Sequence, residues 1–323
     1  MAEKLLVFGP AGNVGRQILP HVVGNPKLDA CLAYHKNRPP QCDEPGVESV
    51  QVSLLDLDSV KKALSWQPDR IVFMVNSEAA TLPMGENFVA ACKAMSPNVK
   101  QIVYVSECDY DKYYRTDIAF YKDQIATVQH VLESGLPVTR IEPSCFMQNI
   151  GSWMGMKTEL AKGTGVVSIG IEPTTPLAWV DTRDIADVVA RVLEKDVGQE
   201  VGKHYRLVGD CRSMGEMTAM LSGVLKECES EPKVPYPQRL VYKQTSREAL
   251  TRAMEDAGMG ADVASDLAKM MSTFHEGHLA MLEMTSSEEM EGLLGRPAIR
   301  LEQYLRDNKS LWESAWASGK DDA

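Results

Sequence analysis

Short apolar runs alternate with amphipathic segments over the first two thirds of the chain, which is the pattern of repeated β-α-β units. The apolar runs predict strands at residues 5–8, 30–34, 50–53, 71–75, 101–106 and 138–142. Between them, apolar side chains recur at every third or fourth position and predict helices at residues 13–23, 58–64, 84–95 and 118–134. The predicted fold class is α/β, with a doubly wound parallel sheet.

The pattern changes after residue 142. Residues 146–161 predict a helix, and 177–180 a strand that leads into an amphipathic helix at 181–194. A late strand is predicted at 205–208. Beyond it the chain is predicted to be mostly helical, beginning with Ser213 and Glu216 in the S-x-x-E spacing of a capping box.

A glycine-rich turn separates the first predicted strand from the first predicted helix. Gly9, Gly12 and Gly15 follow the spacing GxxGxxG. Glycine lets a backbone turn tightly and approach a pyrophosphate, and a helix start offers unpaired N–H groups and a positive dipole end. The turn therefore predicts a dinucleotide site, and a turn that holds no ligand is the alternative. Its expected contacts are Gly9, Ala11, Gly12, Asn13, Val14 and Gly15.

The residues after the second strand bear on the choice between NAD and NADP. NAD favours a carboxylate there for its ribose 2′-OH, but none occurs before Asp43. His35, Lys36 and Arg38 instead place three potentially cationic groups together, which suits the 2′-phosphate of NADP(H). A solvated basic loop is the alternative interpretation.

Other expected cofactor contacts follow later strands. Asp56 and Leu57 come after the third strand, and Asn76 and Ser106 after the fourth and fifth. Parallel sheets bind ligands at the carboxyl ends of their strands, so Asn76 or Ser106 is expected on the nicotinamide side. The alternative for both is a loop polar group satisfied within the protein.

These features predict two domains. Residues 1–150 form a dinucleotide-binding domain to which 177–208 return, and residues 151–176 and 209–323 form a smaller, mainly helical substrate domain. Residues 107–114, which are polar and aromatic, are expected either to cover the cleft as a lid or to form a solvated loop.

Charge and cysteine usage exclude several classes of protein. With 34 basic and 45 acidic residues the formal net charge is −11, which argues against nucleic-acid and anionic-membrane binding. No apolar run is long enough to span a membrane, and no secretory signal precedes the first strand. Seven scattered cysteines suit a reducing compartment, so a cytoplasmic protein is expected. No metal site is predicted, because His275 and His278 are the only close histidine pair.

Three later motifs resemble those of the NmrA-like family, a group of atypical short-chain dehydrogenases. Residues 133–149 read ESGLPVTRIEPSCFMQN, close to the family's E-S-G-L-P-(Y/V)-T-x-(L/I)-R-P-x-x-F-M-x-N. Residues 179–188 resemble V-(D/S)-x-x-D-I-A-x-V, and 293–297 resemble T-G-R-P. The resemblance implies a Rossmann-like domain, a small C-terminal substrate domain and NADP(H) between them. It does not fix the activity, because the family includes redox-sensing regulators, quinone reductases, relatives of isoflavone reductase and enzymes of secondary metabolism.

The catalytic residues depart from the related enzymes. None of the ten tyrosines has the Tyr-x-x-x-Lys spacing of ordinary short-chain dehydrogenases. Aligned on E-S-G-L-P, the lysine of many reductases is Gln124 here, and Lys122 lies two residues earlier, about 200° around a helix. Glu142 stands where the family usually has Arg. Lys122 or Tyr121 is the predicted proton donor, with Gln124 and Asn149 as further polar groups near the cleft.

The expected function is that of an NADP(H)-dependent oxidoreductase. Its substrate would be a small, largely apolar metabolite such as a conjugated carbonyl, quinone, imine or intermediate of secondary metabolism. A redox-neutral isomerase or cyclase that uses NADP structurally is one alternative, and it gains if Gln124 faces the nicotinamide while Lys122 faces solvent. A regulator that senses NADP(H) is the other. The oligomeric state is left open.

Overall fold

The computed structural model describes residues 2–75, 81–106, 118–152, 154–227, 239–256, 258–273 and 288–318, apart from the side chains at 120 and 121. The described strands are β1 (Glu3–Phe8), β2 (Leu28–Tyr34), β3 (Val47–Gln51), β4 (Arg70–Met74), β5 (Gln101–Val105), β6 (Val138–Pro143), β7 (Cys145–Phe146), β8 (Val166–Ile169), β9 (Pro176–Val180), β10 (His204–Leu207), β11 (Asp210–Ser213) and β12 (Val241–Gln244).

The described helices complete the two compact units into which the chain folds. They are α1 (Gly15–Val22), α2 (Leu57–Leu64), α3 (Thr81–Met95), α4 (Ala119–Leu132), α5 (Met156–Ala161), α6 (Thr182–Glu194), α7 (Val197–Glu200), α8 (Met214–Lys226), α9 (Arg247–Asp256), α10 (Ala261–Thr273), α11 (Glu288–Leu294), α12 (Leu301–Asp307) and α13 (Lys309–Ser318). The first unit comprises residues 1–143, 182–207 and 288–297, and the second comprises 144–181, 208–287 and 298–323.

The first unit contains a seven-stranded sheet in the order β10-β6-β5-β4-β1-β2-β3. Every neighbouring pair is parallel, and β1 pairs with β2 on one side and β4 on the other. The predicted α/β fold, a doubly wound Rossmann-like sheet, is confirmed. The strand order reverses between β1 and β4, so a crevice for a ligand is expected at their carboxyl ends.

The inner strands β1, β4 and β5 of this sheet each carry a buried apolar run, because parallel sheets are covered on both faces. On one face, Phe73 of β4 stacks on Phe88 of α3 with ring centroids 3.6 Å apart. Phe8 of β1 meets both rings edge to face, at 5.8 and 5.6 Å. Tyr104 of β5 lies 5.4 Å from Phe73. This aromatic cluster fixes α3 against the strands whose ends form the site.

The second unit is built differently. It contains a three-stranded sheet, β11-β9-β7, and a parallel pair, β12-β8. The capping box predicted at the start of α8 is confirmed, because Ser213 and Glu216 each accept the other's backbone N–H.

The single helix predicted over residues 146–161 is wrong. The chain instead forms β7, a 3₁₀ turn at Met147–Gly151 and the short helix α5. Gly155 separates the turn from α5 with φ +78°, a left-handed conformation that favours glycine and ends regular helix. The units also depart from the predicted division, because residues 144–150, 177–181 and 208 lie in the second unit and residues 288–297 lie in the first.

No helix in the described ranges is long and apolar enough to cross a membrane. Within the same ranges, no three His, Cys, Asp or Glu side chains are grouped as ligands of a metal ion. His275, His278 and the predicted lid at 107–114 lie outside the described residues.

Candidate functional site

The chain leaves β1 through a tight turn at Gly9, whose φ is +68°. Its N–H donates to the carbonyl of Ala33 at 3.1 Å, and its own carbonyl accepts from the N–H of Gly12 at 3.1 Å. The first bond holds the turn beside the end of β2. The structure therefore brings the glycine turn and the basic residues that follow β2 to the same edge of the sheet.

Glycine is required where the turn enters α1. A Cβ at Gly15 would lie 2.0 Å from the carbonyl oxygen of Gly9, which no side chain tolerates, and one at Gly12 would lie 3.3 Å from the same oxygen. Gly15 is buried, whereas Gly9, Ala11, Gly12 and Asn13 are exposed. The turn thus combines a closely packed backbone with a face that is open to solvent.

The start of α1 has unpaired donors. Val14 occupies the N-cap position, and no side chain caps the helix. Among the described residues, the N–H groups of Asn13 and Val14 have no acceptor. The Asn13 side chain is turned to Arg16, whose guanidinium donates to it at 2.9 Å. Free N–H groups at a helix start attract phosphate, so this turn fits the pyrophosphate of a dinucleotide.

Two cations after β2 have different surroundings. Arg38 donates to Asp43 at 2.8 Å and to the carbonyl of Cys42 at 3.2 Å, and its hydrogen bond with Asp43 raises the pKa of the guanidinium. Lys36 is exposed and has no ion-pair partner in the part of the chain that the structure describes. His35 is also exposed, and its carbonyl accepts from Gln51 at 2.9 Å. Lys36 is therefore the cation that is available to a ligand.

Asp56 and Leu57, both predicted as cofactor contacts, begin α2. The Asp56 carboxylate accepts from the N–H groups of Asp58 and Ser59 at 3.0 and 3.3 Å and so caps the helix. Leu57 packs at the edge of the apolar core of the first unit. In the structure, the Asp56 side chain therefore caps a helix and the Leu57 side chain packs against the core.

A small cavity of about 20 Å³ lies at the carboxyl ends of β4 and β5. It is lined by Val75, Thr81, Tyr104, Val105, Ser106, Gln124 and Thr127. Gln124 is only 2% exposed, and neither its Oε1 nor its Nε2 has a hydrogen-bond partner within the described structure. Lys122 lies two residues before Gln124 in α4, on a different face of the helix, and is exposed. The cavity therefore contains Gln124 and Ser106 but is not lined by Lys122.

Ser106 also belongs to a buried charged network that the sequence did not reveal. Its hydroxyl accepts from Nε of Arg140 at 2.9 Å, and Nη2 of Arg140 lies 3.2 Å from Oε1 of Glu142. Glu142 in turn contacts His204, and Nε of Arg206 at 3.3 Å. Buried charges need such partners. The sequence feature that could have predicted this network is Glu142, which stands where the family usually has Arg and lies two residues after Arg140 in the same strand.

The remaining predicted residues do not join these groups in the described structure. Asn149 belongs to the second unit, in the 3₁₀ turn, where its amide lies 3.8 Å from Sγ of Cys145. Asn76 lies outside the described residues. Tyr121 lies in α4, but its side chain is likewise outside the description.

Comparison with known proteins shows which family the chain resembles. The model of the NmrA-like family matches residues 1–305. A (4-alkanoyl-5-oxo-2,5-dihydrofuran-3-yl)methyl phosphate reductase from Streptomyces griseus is 31% identical over 225 residues, which cover 68% of this chain and 73% of the reductase.

Two solved structures share the fold. The NADPH-dependent quinone oxidoreductase QOR2 of Escherichia coli, complexed with NADPH, is 20% identical, with a TM-score of 0.74 over 94% of this chain and 99% of that chain. NmrA, a negative transcriptional regulator, in complex with NADP, is 15% identical, with a TM-score of 0.75 over 97% of each chain.

Proposed function

The chain belongs to the NmrA-like family, and from that premise we propose that it is an NADP(H)-dependent reductase of a small, largely apolar metabolite. The observation that carries the proposal is the exposed glycine turn before an uncapped α1, with Lys36 unpaired among the described residues at the end of the neighbouring strand. These are the groups that a dinucleotide with a 2′-phosphate needs.

Each part of this edge has a distinct task. The N–H groups of Asn13 and Val14 bind the pyrophosphate, and Gly12 leaves room for its approach. Lys36 donates to the 2′-phosphate, while the Asp43 carboxylate keeps Arg38 folded over its own loop. When NADPH is bound it supplies hydride, and the reduced product takes its second hydrogen as a proton.

The substrate class is a conjugated carbonyl compound. Two relatives support it by name: the reductase of Streptomyces griseus acts on an alkanoyl furanone phosphate, and the Escherichia coli protein acts on quinones. Both names describe compounds with a carbonyl conjugated to a carbon–carbon double bond. Hydride addition to such a compound develops negative charge on the carbonyl oxygen, which a hydrogen-bond donor in the site has to stabilise.

One observation favours a redox-neutral role as the second candidate. Gln124 replaces the lysine of many reductases and lines the cavity, whereas Lys122 is exposed. An amide orients a ligand but does not give up a proton at neutral pH. NmrA itself, a regulator found with NADP, shows that this fold also serves proteins that are not named as enzymes.

Deuterium transfer distinguishes these roles. The protein is incubated with a (4-alkanoyl-5-oxo-2,5-dihydrofuran-3-yl)methyl phosphate and NADPH deuterated at the transferable position, and product mass and nicotinamide absorbance are followed. A reductase yields deuterated product and oxidised cofactor in equal amounts. Conversion without deuterium or oxidation indicates the redox-neutral role, and NADPH binding without conversion of this furanone or of a quinone panel contradicts the proposed reduction.

A further inference from the structure

A second cavity, here called the edge cavity, lies over β6 and β10 at one edge of the large sheet. Its volume is about 350 Å³. Small-molecule sites generally have volumes of roughly 300–1,000 Å³, so the edge cavity is large enough for a ligand. The strands β4 and β5 lie between β6 and β1, whose end carries the glycine turn. The edge cavity is therefore distinct from the crevice proposed for the dinucleotide.

The alternation of side chains along β10 places basic residues on the face that lines the edge cavity. Tyr205 and Leu207 are buried, whereas His204 and Arg206 point to the opposite face and are exposed. His204 is in register with Arg140 of β6, so the basic side chains of the two strands are neighbours. A parallel sheet is usually covered on both faces, but on this face the side chains of β10 remain accessible to a ligand.

The lining of the edge cavity is basic. Its charged or ionisable residues are Arg140, Lys203, His204 and Arg206, and no acidic residue of the described chain is among the lining residues. The carboxylates that these side chains contact, Glu142 and Glu200, are fully buried outside the lining. The whole chain has a net charge of −11, so this lining is a local reversal of sign, and it attracts anions.

The remainder of the lining is mainly apolar. It is formed by Leu132 at the end of α4, by Leu136 and Val138, and by Val201 after α7. Val201 is 36% exposed, and Leu132 and Leu136 are half-buried. Covering such side chains removes apolar surface from water, which is favourable. The edge cavity therefore suits a ligand that has an apolar part next to its negative charge.

Backbone hydrogen bonds fix the rim of the edge cavity. The N–H of Gly202 donates to the carbonyl of Val138 at 2.8 Å, and the N–H of Arg140 donates to the carbonyl of Lys203 at 2.9 Å. Gly202 has φ +85°, a conformation that favours glycine. The Arg140 side chain, 3% exposed, is held by its hydrogen bond to Ser106. The cavity is thus formed before a ligand arrives, which lowers the entropic cost of binding.

We propose that the edge cavity binds a small amphipathic anion, which carries a carboxylate or phosphate head group on a short apolar chain. The head group accepts charge-assisted hydrogen bonds from Arg206 and Lys203, which are stronger than bonds between neutral groups. The apolar chain packs against Leu136 and Val201. Binding at this place needs no dinucleotide, so the inference is independent of the proposed function.

Calorimetry with octyl phosphate and octanoate tests the site with both head groups. Inorganic phosphate supplies a head group alone, and octan-1-ol supplies the apolar chain alone. At least one of the two octyl anions should bind about tenfold or more tightly than either partial ligand, because it uses both parts of the lining. The tighter of the two identifies the head group. The same affinity is expected when NADP⁺ is present at saturation.

Two variants with matched controls locate the binding. Arg206→Gln should weaken the octyl anion about tenfold, because a charge-assisted hydrogen bond is lost. Val201→Asp should weaken it at least as much, because it puts a negative charge into the apolar wall. Arg252→Gln on α9 and Val263→Asp on α10 make the same changes at exposed positions elsewhere and should bind like wild type. Thermal unfolding checks that each variant is folded.

Several results would overturn the proposal. Equal affinities of octan-1-ol and the octyl anions would show a merely apolar surface. Displacement of the octyl anion by NADP⁺, or its loss in Lys36→Ala, would place it in the dinucleotide crevice. Unchanged binding in folded Arg206→Gln and Val201→Asp would also refute the site. If wild type binds no octyl anion and Val201→Asp converts a dimer to a monomer in sedimentation, the edge cavity is an interface between copies of the chain. Binding of an octyl anion by a protein that does not bind NADP⁺ would contradict the proposed function alone.

Discussion

At the end of β2, two cations that look alike in the sequence have different surroundings. The Arg38 guanidinium donates hydrogen bonds to Asp43 and to the carbonyl of Cys42, whereas Lys36 is exposed and unpaired among the described residues. The sequence alone predicts a basic cluster but not which of its cations is already paired. The pairing depends on the 3₁₀ turn Pro40–Asp43, which places Asp43 beside Arg38. The selectivity for NADP(H) should therefore reside mainly in Lys36.

Single alanine variants test that division of roles. Lys36→Ala should weaken NADPH binding about tenfold or more, because a charge-assisted bond to phosphate is worth roughly 1.5–3 kcal/mol, and should leave NADH binding nearly unchanged. Arg38→Ala should alter the NADPH-to-NADH ratio much less. Fluorescence titration of both cofactors gives the ratios. An equal effect of the two substitutions on that ratio contradicts the assignment.

Gly12 offers a second test at the residue scale. A Cβ added at Gly12 would lie 3.3 Å from the carbonyl oxygen of Gly9 on an exposed turn, so a larger side chain there would obstruct a pyrophosphate rather than the core. Gly12→Val should keep the fold but lower NADPH affinity by more than about tenfold. Gly223→Ala, at an exposed position of α8 with open space around it, is the control and should bind normally. Unchanged affinity in a folded Gly12→Val protein would refute the site.

At the scale of elements, the structure shows the Asp56 carboxylate capping α2, although the sequence predicted a cofactor contact there. A lost N-cap typically costs about 1 kcal/mol, so Asp56→Ala should lower the free energy of unfolding by that amount. Asp56→Ser should largely restore it, since serine caps as well. Urea unfolding with NADPH titration checks both. A loss of NADPH affinity shared by the serine variant would show that the carboxylate also serves the cofactor.

How well an element could be predicted depended on whether its packing is periodic. The inner strands β1, β4 and β5 of the large sheet contain buried apolar runs, and α3 and α4 show a regular apolar stripe. By contrast β11 (Asp-Cys-Arg-Ser) and β12 (Val-Tyr-Lys-Gln) are short and polar, and they are strands only because β9 and β8 pair with them. Such pairing is invisible to a local pattern.

The features of the candidate site were likewise predictable from the sequence only where they depend on local structure. The glycine turn was predictable because its backbone requires glycine within a few residues of sequence. The burial of Gln124 and the exposure of Lys122 were not, because both depend on where α4 begins and how it is rotated against α3. The network of Ser106, Arg140 and Glu142 joins strands that are distant in sequence. Local reasoning identifies the groups, and tertiary packing decides which of them meet.

For the whole molecule, an acidic chain depends on carboxylates that remain ionised. Glu200 is 1% exposed and lies within reach of Lys203 Nζ at 2.9 Å, Lys195 Nζ at 3.7 Å and the hydroxyl of Tyr205 at 2.7 Å. Its carbonyl accepts from the hydroxyl of Thr139 at 2.8 Å, which ties the end of α7 to β6. Burial by itself raises the pKa of Glu200, but the hydrogen bonds from Lys203 and Tyr205 outweigh it and the pKa is lowered.

This carboxylate gives the stability of the protein a defined pH dependence. Because the folded state holds the pKa of Glu200 below its ordinary value of 4.5, the stabilisation is complete above pH 4.5 and is lost as the pH falls through the folded value. Glu200→Gln should therefore be less stable than wild type at pH 7, by roughly 1.5–3 kcal/mol for hydrogen bonds to a charged group, and the difference should shrink below pH 4.5. Glu44→Gln, at an exposed site, should show no such convergence. Urea unfolding at pH 7, 5 and 3.5 measures the difference directly. A gap between Glu200→Gln and wild type that stays constant to pH 3.5 would mean that the two hydrogen bonds stabilise the protein whether or not the side chain is charged.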